Sequence, residues 1–85
     1  MNELRKQIDL VDQQIVHLMA ERFKLSQQIA DFKRTQGLSL RDKAREAELI
    51  ERLVSYGKKE HLSRPFIHKL YERILIEARR LQRSR

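Results

Sequence analysis

Two cationic residues, Arg22 and Lys33, lie at or beside the apolar face of one helix and are the side chains best placed to do chemistry. Arg22 occupies a position where the spacing of the preceding apolar residues calls for another, and Lys33 lies beside the same helical face. They are about 16 Å apart along a helix, so two long side chains could converge on one ligand. A buried charge needs an anion nearby. Taken alone, this pattern favours internal ion pairs with carboxylates such as Glu46 or Asp42, and an anionic ligand is the alternative.

A second polar cluster lies in the segment RDKARE. Asp42, Arg45 and Glu46 share one helical face with Leu49, so the polar cluster prolongs a face that becomes apolar further along. The same spacing is also typical of ordinary surface ion pairs. Gln82 ends an apolar stripe near the end of the chain, which places an uncharged polar group at the edge of the same core.

The sequence contains no pattern for covalent or metal-dependent catalysis. There is no cysteine, no glycine-rich phosphate loop and no recognisable nucleophile–base pair. His17, His61 and His68 do not have the spacing of metal ligands, and we expect them at the surface. An enzyme of this sequence would therefore act through positioned charges rather than covalent chemistry.

A long first helix must position Arg22 and Lys33. Apolar residues recur in alternating steps of four and three, the pattern of a helix that packs along its whole length. Nothing interrupts this helix before Gly37, which predicts about thirty residues and a length of about 45 Å. The apolar residues, called the long apolar stripe below, are Leu4, Ile8, Val11, Ile15, Leu18, Leu25, Ile29 and Phe32.

Two shorter helices follow. The second is predicted to begin with Ser39 as its N-cap and to stop at Gly57. The third is predicted to begin with Ser63 as its N-cap, to tolerate Pro65 in its first turn and to end near Leu81. The fold class is therefore all-α, with one long helix followed by two shorter ones in a single domain over residues 1–85.

The difference in helix length predicts a homodimer. The shorter helices would each span about 25–30 Å and could not cover the whole long apolar stripe. An exposed stripe of that size marks an interface, and the simplest cover is a second copy related by a two-fold axis. We expect the long helices of the two copies to pack together in an intertwined dimer.

Composition limits the partners. The 85 residues are 36% charged, carry a formal net charge of +7 and are 40% hydrophobic. The basic excess suits an anionic partner, either a nucleic acid or a small polyanionic metabolite. No apolar run approaches a membrane span, and no signal peptide is recognisable, so we expect a soluble cytoplasmic protein with no membrane partner.

At this point the sequence resembles the all-α chorismate mutase family. The segment LRKQIDLVDQQIVHLMAERFKLSQQIADFK is similar to the long helix of that family, and RDKAREAELIERL and HLSRPFIHKLYERIL are similar to its later helices. The resemblance covers nearly the whole chain, and its specificity lies in the joint spacing of Arg5, Arg22, Lys33, Asp42, Arg45, Glu46 and Gln82.

The resemblance implies an isomerase that rearranges chorismate to prephenate in aromatic amino acid biosynthesis. It implies that Arg22 and the partner subunit's Arg5 hold the two carboxylates of the dianionic substrate. It also implies that Lys33 and Gln82 flank the ether oxygen of the breaking bond, which makes Arg22, Lys33 and Gln82 the catalytic set. The reaction is unimolecular and requires no cofactor.

The resemblance also implies the remaining contacts. Glu46 and the backbone near Asp42 would contact the ring hydroxyl, and Arg45 would complete a cationic wall. Ala78 stands where the family often has a small hydroxyl residue, so a secondary carboxylate contact is expected to be missing.

Two alternatives stay open on the sequence alone. The first is another enzyme on the same scaffold, an isochorismate-pyruvate lyase or an amino-deoxychorismate mutase. The second is a basic helical dimer that binds nucleic acid through its phosphates. The second fits less well, because Arg22 and Lys33 face the core and acidic residues are interspersed among the basic ones.

Overall fold

The computed structural model describes residues 1–83 and contains three helices within them. They are α1 (Asn2–Thr35), α2 (Lys43–Lys59) and α3 (Arg64–Arg83). Helix α3 packs against both α1 and α2, whereas α1 and α2 do not pack on each other. The predicted all-α class, with one long and two shorter helices, is confirmed.

Helix α1 ends where the sequence predicted. Gly37 adopts a left-handed conformation with φ of 69°. The Leu38 amide donates to the Lys33 carbonyl at 2.8 Å and the Gly37 amide donates to the Arg34 carbonyl at 3.2 Å. These two bonds form a Schellman motif, which satisfies carbonyls that the helix leaves without partners.

Helix α2 begins later than predicted, and the assignment of Ser39 as its N-cap is wrong. The N-cap is Asp42, whose carboxylate accepts a hydrogen bond from the Arg45 amide at 3.0 Å. Ser39 instead donates its hydroxyl proton to the Arg41 carbonyl at 3.1 Å. Both residue types are good N-caps. The Ser39 hydroxyl is engaged with the Arg41 carbonyl and does not accept from a helix amide, whereas the Asp42 carboxylate satisfies a first-turn amide of α2.

Gly57 does not end α2, so that prediction is also wrong. The helix continues to Lys59 and closes with a Schellman motif in which His61, with φ of 64°, takes the left-handed position. The Leu62 amide donates to the Gly57 carbonyl at 2.8 Å, and the His61 amide donates to the Lys58 carbonyl at 3.1 Å. Gly57 is buried inside the helix, where a Cβ atom would lie 2.9 Å from Cγ1 of Ile67. The glycine therefore permits close packing of α2 on α3.

Replacing Gly57 with alanine is expected to destabilise the protein by about 1–3 kcal/mol, because the added methyl group overpacks the contact with the buried Ile67. In an exposed helix position the same change would be stabilising. Ser55→Ala, at an exposed position two residues earlier in α2, is the matched control and should leave stability nearly unchanged. Chemical denaturation at one protein concentration measures both. An unchanged midpoint for Gly57→Ala would show that the α2–α3 contact relaxes without cost.

Helix α3 begins as predicted, with the Ser63 hydroxyl accepting from the Phe66 amide at 3.3 Å. It continues to Arg83, two residues beyond the predicted end. The buried side chains lie where α3 meets its neighbours, and they are Ala30, Val54, Ile67, Ile74 and Ala78. This small core joins only the C-terminal half of α1 to the rest of the protein.

The N-terminal half of α1 projects from the core. Every residue from 1 to 18 is exposed in the single chain. Leu4, Ile8, Val11 and Ile15, from the long apolar stripe, are each 49% exposed or more. The predicted exposure of this stripe in one chain is therefore confirmed. Within residues 1–83, no helix is long and apolar enough to cross a membrane.

Candidate active site

A cavity of about 170 Å³ lies between the C-terminal half of α1, the start of α2 and the end of α3. All three helices contribute polar side chains to its wall. The structure thus brings together six of the seven residues predicted for the site. These are Arg22, Lys33, Asp42, Arg45, Glu46 and Gln82.

Arg22 and Lys33 reach the cavity from α1, and both are half-buried. Among residues 1–83 neither forms an ion pair with a carboxylate, so the interpretation of these two cations as partners in internal ion pairs is wrong. The Arg22 guanidinium instead lies 5.7 Å from the centre of the Tyr71 ring, within range of a cation–π contact. Both charges remain available to an anionic ligand.

The start of α2 supplies Asp42 and Arg45 to the cavity wall. Asp42 has two functions at once, because its carboxylate caps the helix while its side chain lines the cavity. Both residues are exposed in the single chain. The first turn of a helix also carries backbone amides without helical partners, which suits a polar group of a ligand.

Glu46, one turn into α2, is held between two arginines. Arg79 of α3 donates from Nη1 to Oε2 of Glu46 at 2.9 Å, and Arg41 donates from Nε to Oε1 at 3.3 Å. Arg79 also lines the cavity, although it is not among the site residues predicted from the sequence. Its position three residues before Gln82 places the two on one face of α3, and this spacing could have found it.

Gln82 lies in the last turn of α3, where helix carbonyls have no internal partner. The backbone carbonyl of Gln82 accepts a hydrogen bond from Nη2 of Arg34 at 2.7 Å. Arg34 also pairs with Asp31 at 3.1 Å. This contact ties the end of α3 to the end of α1 beside Lys33. Ala78 is buried and lines the cavity with a methyl group, so no hydroxyl is present at that position.

Arg5 is the predicted site residue that does not line the cavity of its own chain. It is exposed near the start of α1, seventeen residues before Arg22. That separation corresponds to about 25 Å along a continuous helix. One copy of the protein therefore cannot bring its own Arg5 to its own cavity.

The cavity is positively charged overall. Four cationic side chains and two carboxylates line it, which leaves a formal charge of +2. Such a wall suits a small ligand with two negative charges. The predicted surface location of His17, His61 and His68 is confirmed, since all three are exposed. Among residues 1–83 no group of three or more histidine or carboxylate side chains could hold a metal ion.

Fold and cavity together define a small all-helical domain with a mainly cationic cavity. The sequence matches the model of the chorismate mutase type II family over residues 4–83, and the chain belongs to that family. Membership confirms the resemblance found from the spacing of the site residues, and the predicted enzyme class, an isomerase, is that of this family. The two alternatives, another enzyme of this scaffold and a nucleic-acid-binding dimer, are not favoured by these comparisons.

Named relatives agree with the family. The chain is 38% identical over 74 residues to the bifunctional chorismate mutase/prephenate dehydratase of Buchnera aphidicola subsp. Schizaphis graminum, and 35% identical over 72 residues to that of Escherichia coli. These matches cover 87% and 85% of the chain but only 19% of each relative. The chorismate mutase of Methanocaldococcus jannaschii is 33% identical over 75 residues, covering 88% of the chain and 75% of the relative.

Proposed function

We propose that this chain catalyses the rearrangement of chorismate to prephenate in the cavity, as a homodimer in which each site receives Arg5 from the partner subunit. The observation that carries the proposal is the state of Arg22 and Lys33. Two half-buried cations face one cavity with no carboxylate paired to either in the described chain. An anionic substrate supplies the missing partners, and chorismate is a dianion.

Catalysis by this site requires no group that exchanges protons or electrons with the substrate. The rearrangement is unimolecular, so the enzyme accelerates it by holding the compact diaxial conformer in which the reacting carbons are close. Arg22 holds one substrate carboxylate, and the partner subunit's Arg5 holds the other. Two charge-assisted contacts at opposite ends of the substrate restrict it to that conformer.

The second contribution is electrostatic. As the C–O bond breaks, negative charge develops on the ether oxygen. Lys33 and Gln82 are proposed to donate to that oxygen, and donors already in position stabilise the developing charge without reorganisation. The hydrogen bond from Arg34 to the Gln82 carbonyl supports this role, because it secures the last turn of α3 next to Lys33.

The start of α2 is proposed to bind the ring hydroxyl. Glu46 accepts its proton in a hydrogen bond, the backbone near Asp42 provides a further polar contact, and Arg45 adds positive charge to the wall. Ala78 leaves the family's secondary hydroxyl contact unfilled. The substrate is therefore held by charged groups at its carboxylates and by α2 at its ring.

The dimer is supported by the exposed half of α1. Its apolar residues lack cover in one chain. A two-fold partner would cover this surface, and packing of α1 on α1 is the arrangement that could carry Arg5 to the other copy's cavity. Two copies would thus complete two sites that neither copy can complete alone.

The proposed product, prephenate, indicates the pathway in which the protein acts. The bifunctional relatives combine a chorismate mutase with a prephenate dehydratase. A chorismate mutase that delivers prephenate suits aromatic amino acid biosynthesis, and we expect the protein to act in the cytoplasm without a membrane partner. Metal and cofactor have no part in the proposed reaction.

The test is the loss of chorismate absorbance in metal-free buffer, with prephenate identified as the product. We expect rapid turnover that a chelator does not reduce. Isochorismate, assayed in parallel, should be turned over much more slowly. A folded dimer that consumes isochorismate and releases pyruvate, while leaving chorismate unchanged, would contradict the mutase proposal and establish a lyase.

A further inference from the structure

The ion pair between Arg79 and Glu46 lies in the cavity wall and has no role in the mechanism above. It joins α3 to α2 across 33 positions of sequence, at a distance of 2.9 Å between Nη1 and Oε2. The two side chains are only 25% and 23% exposed. The second contact of Glu46, to Arg41, is longer at 3.3 Å, and the Arg41 side chain is 47% exposed. Arg79 is therefore the main partner of Glu46.

Charge gives this pair a consequence for binding. Glu46 is an anion in the wall of a cavity proposed to bind a dianion, and an unpaired carboxylate there would repel the substrate. In a partly dehydrated cavity such repulsion is less screened than in water. Of the four cations that line the cavity, Arg79 is the one paired with Glu46. Without Arg79 the formal charge of the wall falls from +2 to +1.

Geometry gives it a second consequence. A free glutamate side chain samples several rotamers, and ordering it on substrate binding costs entropy. Arg79 and Arg41 each bind a different oxygen of Glu46, so the carboxylate is ordered before a ligand arrives. Carboxylate oxygens have about four acceptor positions, so acceptors remain for the substrate.

We propose that Arg79 is a positioning residue for the rearrangement. It neutralises Glu46 and orients it, so that a carboxylate that would otherwise repel the dianion becomes an ordered acceptor for the ring hydroxyl. The inference rests on the proposed function, since it assigns Arg79 a role in the same site.

The test is a double-variant cycle with steady-state kinetics on the 85-residue protein. Arg79→Met should raise KM for chorismate by about tenfold or more, with a smaller effect on kcat, because the lost interaction acts mainly on binding. The inhibition constant of prephenate, a dianion that is not turned over, should rise in parallel. Arg79→Lys, which restores the charge but not the planar guanidinium group, should reverse part of the rise in KM.

The decisive measurement is whether a second substitution lowers the raised KM of Arg79→Met. Arg79→Met combined with Glu46→Gln should have a lower KM than Arg79→Met alone, since the amide carries no charge to repel the substrate. A purely structural role for the ion pair predicts that any recovery of KM is accompanied by a matching recovery of stability in chemical denaturation, whereas the proposed role predicts recovery of KM without it. The non-additivity of the two changes measures the coupling between Arg79 and Glu46.

A matched control lies one residue along the same helix. Arg80 hydrogen bonds to Glu77 at 2.6 and 2.8 Å outside the cavity, which lowers the pKa of the Glu77 carboxyl below its ordinary value. Arg80→Met removes the same charge from α3 and should leave KM unchanged. An equal rise in KM for Arg80→Met would assign the effect to net charge and overturn the inference.

The remaining outcomes separate the inference from the proposed function. Wild-type protein without mutase activity would overturn the proposed function itself. Active wild type with an unchanged KM for Arg79→Met, or with no relief by Glu46→Gln, would overturn only the role of Arg79. Circular dichroism establishes that each variant folds. If Arg79→Met does not fold, Arg79→Gln takes its place in the same cycle and is judged by the same two results.

Discussion

Replacing Lys33 with alanine is expected to reduce turnover of chorismate by about a hundred- to a thousandfold, or about 3–4 kcal/mol of transition-state stabilisation. Lys33 is half-buried at the cavity and is not paired with a carboxylate within the described chain, so its charge is available to an anionic ligand. The fold should survive, because the variant removes no ion pair and leaves the carbonyl that closes the Schellman motif in place. Single-turnover kinetics measure the rate of the chemical step, and circular dichroism measures whether the variant is folded.

The control for this variant is Lys24→Ala. Lys24 is exposed on the same helix and lies outside the cavity, so its loss should change the rate little. Near-normal turnover by folded Lys33→Ala would contradict the assignment of Lys33 to the ether oxygen. Loss of activity in both variants would indicate that the overall charge of α1 matters more than a particular donor.

Replacing Arg5 with alanine is expected to lower kcat/KM by about a hundredfold, the loss of a charge-assisted contact to one substrate carboxylate. The more decisive result comes from mixing. Arg5→Ala and Lys33→Ala chains are each expected to be nearly inactive, but a dimer containing one of each has one site with both residues intact. Refolding the two variants together in equal amounts should therefore restore about a quarter of wild-type activity.

Recovery of activity on mixing shows whether Arg5 acts in the cavity of the partner subunit or in that of its own chain. If Arg5 acted in the cavity of its own chain, every site in the mixed dimer would lack one of the two residues and no activity would return. Refolding each variant separately before mixing is the control, and it should give no recovery while subunits do not exchange. When the wild-type protein is diluted, its activity and its helical structure should disappear together. Sedimentation at the same concentrations should show the dimer dissociating. An active monomer would contradict the shared site.

Much of the architecture follows from local patterns. Alternating apolar steps predicted α1, and Gly37, a residue that adopts the left-handed conformation without steric strain, predicted its end. The interruption of that pattern at Arg22 indicated a candidate functional position, and Arg22 lines the cavity. Local rules predicted Ser39 as the N-cap of α2, whereas the structure has Asp42 in that position, and both residue types cap helices well.

The sequence by itself determined the three helices, the exposed half of α1 and the family, because each depends on periodicity or on the spacing of residues along the chain. The tertiary structure alone decided that Gly57 is a packing contact rather than a helix end, since that depends on Ile67 in another helix. It also decided that Glu46 pairs with Arg79 and leaves Arg22 and Lys33 without carboxylate partners in the described chain. Ion pairing between helices depends on which side chains meet across the packed core, and a helical period specifies the face of a residue but not its partner.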